Sequence, residues 1–338
     1  MEILNLIEHD NQVPNITNSS FRPHWTLQGG HVQTIFGSFV GCQLKPPDWT
    51  GEIETDDGDF IDTDLYEPCT GESNGRIAIL THGLESHSRA KYIRQMAKAL
   101  ISQGWAVIAW NLRSCSGRLN RTPRLYHSGA TDDLECVIHW AIEKRRWDSI
   151  ALIGFSLGGN ISLKFAGERG GKINPLIEGV VAISVPCDLS CSVAKISHPS
   201  NRVYSRRFLH SLSQRIIRKA RQFPELIDIS KLKLVRTIEH FDDFFTAPLH
   251  GFRSAKDYYQ QSSSLRFIPE ISTRSLLINA KNDPFLGTNC FPVTEADQNN
   301  NFHLEITEDG GHVGFLGGNG WIPEPWVYIR ITDFLNSQ

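Results

Sequence analysis

The sequence predicts an α/β protein with a mostly parallel central sheet and helices on both faces. Three observations carry that reading. Apolar runs of strand length recur near 76–81, 105–111, 149–155, 179–185, 275–281 and 302–307. Helix-like segments alternate with them near 89–103, 129–146, 157–169 and 323–336. The strands are continuously apolar rather than apolar at every second position, which is the mark of strands buried on both faces beneath crossover helices.

Taken in order, residues 1–50 form an arm rich in Pro, Gly and aromatic residues, expected to pack on the core. Residues 51–55 and 61–66 then alternate apolar and polar around Asp56, Asp57, Gly58 and Asp59, a hairpin signal. The acidic residues of that turn read as solvated positions, not metal ligands. Asp132 and Asp133 open the helix near 129–146, where negative charge suits the positive end of the helix dipole. The first part of the core thus runs over 51–186 and the second over 270–338. Between them, 187–269 breaks the alternation and is too long for a plain loop. Its segment Tyr204 to Phe223 is helix-like and carries Arg206, Arg207, Arg215, Arg218, Lys219 and Arg221 among Phe208, Leu209, Leu212, Ile216 and Ile217. An insertion at this point is expected to be a helical lid. Its basic residues read as a solvated face, with contact to an anionic membrane surface or head group as the alternative.

The chemistry is signalled by Gly154-Phe155-Ser156-Leu157-Gly158, directly after the apolar run 149–153. A serine between two glycines, on a turn from a buried strand into a helix, is the nucleophile-elbow pattern. The hydroxyl is presented at a helix N-terminus, whose free N–H groups and partial positive charge suit an oxyanion. Asp283 follows the apolar strand 275–280, and His312 follows the strand-like 302–307 within a glycine-rich turn. Order and placement fit a Ser-Asp-His triad, with each member just past the C-terminal end of a strand, where ligands bind in a parallel sheet. The run 76–81 leads into His82-Gly83-Leu84, so the N–H groups of Leu84 and Leu157 are the expected oxyanion-hole donors, and His82 is expected to be structural.

With a net charge of -3 there is no nucleic-acid footprint. Seven cysteines without a C-x-x-C pair argue for free thiols in a reducing compartment and against a zinc site. The first ten residues carry no basic region or long apolar stretch, and no run reaches the roughly 18 apolar residues of a membrane span. A cytoplasmic location is the expectation.

The chain resembles the YheT-type family of α/β-hydrolases over most of its length. Arg22-Pro23-His24 through Ile35 resembles the family's N-terminal signature, and Thr81 to Glu85 its oxyanion loop. Asn111 to Gly117, His127-Ser128-Gly129 with Asp132-Asp133, and Gly154 to Asn160 resemble its next three motifs. Phe241-Asp242-Asp243 with Asp257-Tyr258-Tyr259 is similar to its lid signature, while Asn282-Asp283-Pro284 and Gly310 to Phe315 match its acid and base motifs. Ser114 departs from the pattern, where the family usually has glycine. The resemblance implies an α/β-hydrolase fold and a serine hydrolase acting on carboxylic esters, acyl or lipid-like, with no metal or organic cofactor. An acyltransferase using the same triad is the alternative, and a non-catalytic ligand-binding protein the second. A peptidase would need acidic lid residues to hold a substrate amine. Glu239, Asp242 and Asp243 read instead as a solvated helix end.

Overall fold

The computed structural model describes residues 15–68 and 73–337; the first ten residues and Cys69, both used above, lie outside them. Nine strands form one sheet: β1 Ile16–Asn18, β2 Trp49–Glu54, β3 Phe60–Tyr66, β4 Arg76–Thr81, β5 Ala106–Trp110, β6 Ser149–Phe155, β7 Ile177–Ile183, β8 Ser275–Ala280 and β9 Phe302–Thr307. Their order is β1-β9-β8-β7-β6-β4-β5-β3-β2. Pairing is parallel from β1 to β5 across the sheet, and antiparallel where β3 joins β5 and β2. The hairpin and all six expected core strands are therefore present. In a strand, neighbouring side chains point to opposite faces, so β4 sends Ile77 and Ile79 into one core and Ala78 and Leu80 into another.

The main helices are α1 Gly30–Gly37, α2 Lys91–Ile101, α3 Thr131–Lys144, α4 Leu157–Arg169, α5 Leu189–Ser197, α6 Arg202–Ala220, α7 Ala255–Ser262, α8 Val293–Gln298 and α9 Trp326–Asn336. Leu134, Val137 and Ile138 of α3 and Ile161 and Phe165 of α4 cover the first face. Ile93, Met96 and Leu100 of α2 and Val327 and Ile331 of α9 cover the second. The described part of the arm, residues 15–50, is more ordered than its composition suggests. It contributes β1, which pairs with β9 at the sheet edge, and α1.

The segment between β7 and β8 is helical and has its own small core, in which Leu212, Ile216 and Ala220 of α6 pack with Phe241 and Phe245. Arg206, Arg207, Arg218 and Arg221 face solvent, as a solvated basic face requires. Arg215 and Lys219 do not. Lys219 is fully buried, with Nζ donating to Asn120 O at 2.7 Å and Oδ1 at 2.9 Å. Burial pulls its pKa down to about 8. Both residues lie at helical spacing beside the Leu212–Ile216 stripe, and the helix carries them inward with it.

The hairpin turn also departs from expectation. Asp59 is buried, and with Asp57 and Asp133 it surrounds the Arg113 guanidinium at 3.1, 2.7 and 2.6 Å. Burial opposes the charge on Arg113, but Asp133 and Asp57 more than offset it and its pKa is raised. Asp56 and Asp57 are exposed as expected of a turn, but Asp59 is the buried part of an ion cluster that ties the hairpin to α3. Removing one partner of a buried charge cluster strands the others. Arg113→Met is expected to lower unfolding free energy by about 3–5 kcal/mol in urea titrations at pH 7.

Candidate active site

Ser156 sits between β6 and α4 with φ 55° and ψ −120°, a strained backbone for a residue with a side chain. Two glycines make the turn sterically feasible. A Cβ at Gly154 would lie 2.3 Å from Gly158 O, and one at Gly158 would lie 2.3 Å from Thr81 O. The hydroxyl reaches His312, whose Nε2 is 2.9 Å from Ser156 Oγ. His312 Nδ1 is 2.8 Å from Asp283 Oδ2. A carboxylate only accepts, so Nδ1 carries the proton and the Nε2 lone pair faces the serine. Asp283 is buried, and its Oδ1 accepts the Phe285 N–H at 2.8 Å. The three residues expected to act together are therefore one hydrogen-bonded chain.

The loop after β4 lies directly against this serine. A Cβ at Gly83 would be 3.1 Å from Ser156 Cβ. His82 is buried, accepting the Leu112 N–H at Nε2 (3.1 Å) and donating from Nδ1 to Gly83 O (2.8 Å). Burial pulls its pKa down to about 3, so it stays neutral and braces the loop. The Gly83 and Glu85 N–H groups donate to the hydroxyls of Tyr92 and Tyr126 at 2.9 and 3.2 Å. Between them the Leu84 N–H has no hydrogen-bond partner among the described residues, and neither has the Leu157 N–H at the start of α4.

Sequence reasoning missed what holds the histidine. Thr34 of α1 accepts the His312 N–H at 2.8 Å, and Asn282 Oδ1 accepts the Gly311 N–H at 3.0 Å. Gln33 donates to Leu316 O at 3.0 Å and accepts its N–H at 2.8 Å. A Cβ at Gly30 would meet Asn282 O at 1.9 Å, so that glycine lets the arm lie against the Asp283 loop. The signal was the arm's own Gly29-Gly30-His31-Val32-Gln33-Thr34 motif, which marks a close approach without naming its target. Ser114, the departure noted above, has φ 64°. Its Oγ accepts the Asn120 N–H at 3.0 Å and donates to Asn120 Oδ1 at 2.5 Å, contacts a glycine could not make.

With this geometry in view, similarity to known proteins is informative. The sequence matches the alpha/beta hydrolase fold family over residues 79–318. The chain belongs to the α/β-hydrolase family. The Escherichia coli (strain K12) protein named "Putative esterase YheT" is 32% identical to it over 95% of this chain and 94% of its own. Mus musculus "Phospholipase ABHD3" is 29% identical over 90% of this chain and 75% of its own. Among solved structures, the Pyrococcus furiosus esterase Pf2001 shares the fold with a TM-score of 0.57 and 17% identity, over 88% of this chain and 94% of that one. The expected fold and the YheT-type resemblance both hold.

In this α/β-hydrolase, Ser156, His312, Leu84 and Leu157 line a cavity of about 480 Å³, with apolar side chains of the β7–β8 segment such as Leu212, Phe241 and Phe245 in its wall. No group of three or more His, Cys, Asp or Glu side chains among the described residues is placed to hold a metal ion, and no helix among them is long and apolar enough to cross a membrane. The described cysteines are free; burial pushes the Cys115 and Cys290 thiols up to about 12.

Asp242 corrects one expectation. It is not part of a solvated helix end but a buried residue of the cavity wall, accepting from Tyr259 OH and Thr246 Oγ1, each at 2.6 Å. Burial pushes its pKa up to about 6, against the pull of those two donors. The folded state then binds a proton more tightly than the unfolded one, and stability falls as pH rises through about 6. Asp242→Asn removes this term. Between pH 4 and pH 7 its unfolding free energy, measured in urea, is expected to gain on the wild type by about 2 kcal/mol.

Proposed function

We propose that the chain is a serine hydrolase of carboxylic esters that works through a Ser156-His312-Asp283 triad and an acyl-enzyme. The observation that carries this is the chain of contacts from Ser156 Oγ to His312 Nε2 (2.9 Å) and from His312 Nδ1 to Asp283 (2.8 Å), opening on an apolar cavity. Ser156 Oγ attacks the ester carbonyl as its proton passes to His312 Nε2. The carbonyl π pair moves onto oxygen, where the unpartnered Leu84 and Leu157 N–H groups receive it. Collapse of this intermediate breaks the acyl–oxygen bond, and His312 returns the proton to the leaving alcohol. Water then repeats the sequence on the acyl-enzyme, releasing the acid. Asp283 keeps the imidazole in the working tautomer and stabilises the imidazolium.

The relatives' names, esterase and phospholipase, support an ester substrate, and the apolar cavity wall supports an acyl or lipid-like one. In this reading the helices between β7 and β8 form a lid that selects the acyl group.

The test is hydrolysis of p-nitrophenyl esters from acetate to palmitate. Ser156→Ala is expected to lose about 10⁴-fold or more in kcat, and Asp283→Asn about 10⁴-fold, with both variants folded. Ester turnover that survives in Ser156→Ala, or a wild type that neither turns over nor takes a fluorophosphonate label at Ser156, overturns the reading.

A further inference from the structure

We propose that Arg215, acting through Glu85, positions the Leu84 N–H, so that the oxyanion hole is complete only when helix α6 is seated on the core. This rests on the serine-hydrolase reading above and assigns that site a positioning pair.

Glu85 directly follows Leu84 and has φ 53°, in the left-handed region that is strained for a residue with a side chain. Its neighbours over-determine that conformation. Its side chain is only 4% exposed. Oε1 accepts the Tyr126 hydroxyl at 2.6 Å and Arg215 Nε at 3.0 Å. Oε2 accepts Arg215 Nη2 at 3.1 Å and the Ser211 hydroxyl. Ser211 and Arg215 are four residues apart on α6, so one face of that helix grips the carboxylate from two points. The same guanidinium donates from Nη1 to Ser114 O, on the second left-handed residue of this region. A single side chain of α6 thus spans two strained loops of the core. Burial disfavours charge on Glu85, yet Arg215, Ser211 and Tyr126 more than offset it, and its carboxyl stays below the ordinary range.

Leu84 lies between Gly83, packed against Ser156, and Glu85, held by α6. If Glu85 relaxes from the left-handed region, the Leu84 peptide cannot keep its place beside the serine. A buried ion pair of purely structural value behaves differently: removing both partners together is often neutral. The two roles therefore separate.

The experiment compares wild type, Glu85→Gln, Arg215→Met and the Glu85→Gln/Arg215→Met double variant on one p-nitrophenyl ester. Each is also titrated with a trifluoromethyl ketone of the same chain length, which adds to Ser156 Oγ and places an oxyanion in the hole, and with the matching methyl ketone, which does not add. Each variant, the double one included, is expected to lose about 10–100-fold in kcat with KM within about threefold. Trifluoromethyl ketone affinity should fall in parallel with kcat, while methyl ketone affinity holds. If the double variant recovers wild-type kcat, or the two ketones weaken alike, the pair is structural and the proposal fails. Should Arg215→Met not fold, Arg215→Lys carries the same comparison, since an ammonium cannot span both Glu85 oxygens and Ser114 O. A wild type that neither hydrolyses the ester nor forms an adduct at Ser156 sinks the serine-hydrolase reading itself. Unimpaired variants of an active wild type sink only this inference.

Discussion

The molecule is organised around the close approach of three backbone segments at Ser156. Strand β6 must end, reverse into α4 and leave room for the loop after β4, all within van der Waals distance. Gly154 faces Gly158 O, and Gly158 faces the carbonyls of Thr81 and His82. The register that pairs Thr81 with Gly154 brings both strands to the same level, so the two loops emerge side by side. A left-handed serine of this kind costs on the order of 1–3 kcal/mol. The cost is tolerable because the elbow is anchored between fully buried neighbours, with Ile153 and Phe155 below it and Ile161 behind it. The strain and the exposed hydroxyl share one cause: a turn tight enough to place Oγ at the head of α4 cannot also be relaxed.

The elbow, Asp283 and His312 were legible because each is a local pattern, an apolar strand followed by a turn with special residues. So were the six core strands, whose unbroken apolar character depends only on being covered twice. What stayed hidden depends on partners distant in sequence. Thr34 and His312 are 278 residues apart, and nothing near either residue announces the other. Asp59 and Asp242 look like solvated acids beside polar neighbours. Their burial becomes intelligible only once Arg113 and Tyr259 are seen against them. Arg215 and Lys219 were hidden for a related reason. A basic residue on an amphipathic helix reads as solvent-facing unless something acidic or carbonyl-rich waits beneath it, and here Glu85 and Asn120 do.

These buried polar groups share a feature that separates them from the apolar core. Each joins elements that the hydrophobic effect alone would leave free to slide. Arg113 locks the β2–β3 hairpin to α3, and Asp242 locks the short helical run after Ile238 to α7 through Tyr259. Apolar contacts are non-directional and fix how much surface is buried, whereas charge-assisted hydrogen bonds fix angle and register. A site that needs distances near 2.9 Å between side chains on three loops needs the second kind of constraint more than the first.

The histidine loop shows why the arm belongs to the site and not merely to the surface. Gly311 has φ 58°, and a Cβ there would lie 2.3 Å from Gly30 O, so the loop is shaped against α1 rather than against the sheet. Val313, at φ 59°, donates its N–H to Ser184 Oγ at 2.9 Å, which fixes the other side of the turn to the end of β7. His312 is therefore clamped between the arm and the core, with Asn282 joining the Asp283 loop to the same clamp through Gly311. The Asp283 and His312 loops are joined to each other through Asn282, and the arm holds the His312 loop from the other side through Thr34. The chemical groups come from the sheet, but the geometry that joins them is closed by a segment that precedes the core in the chain.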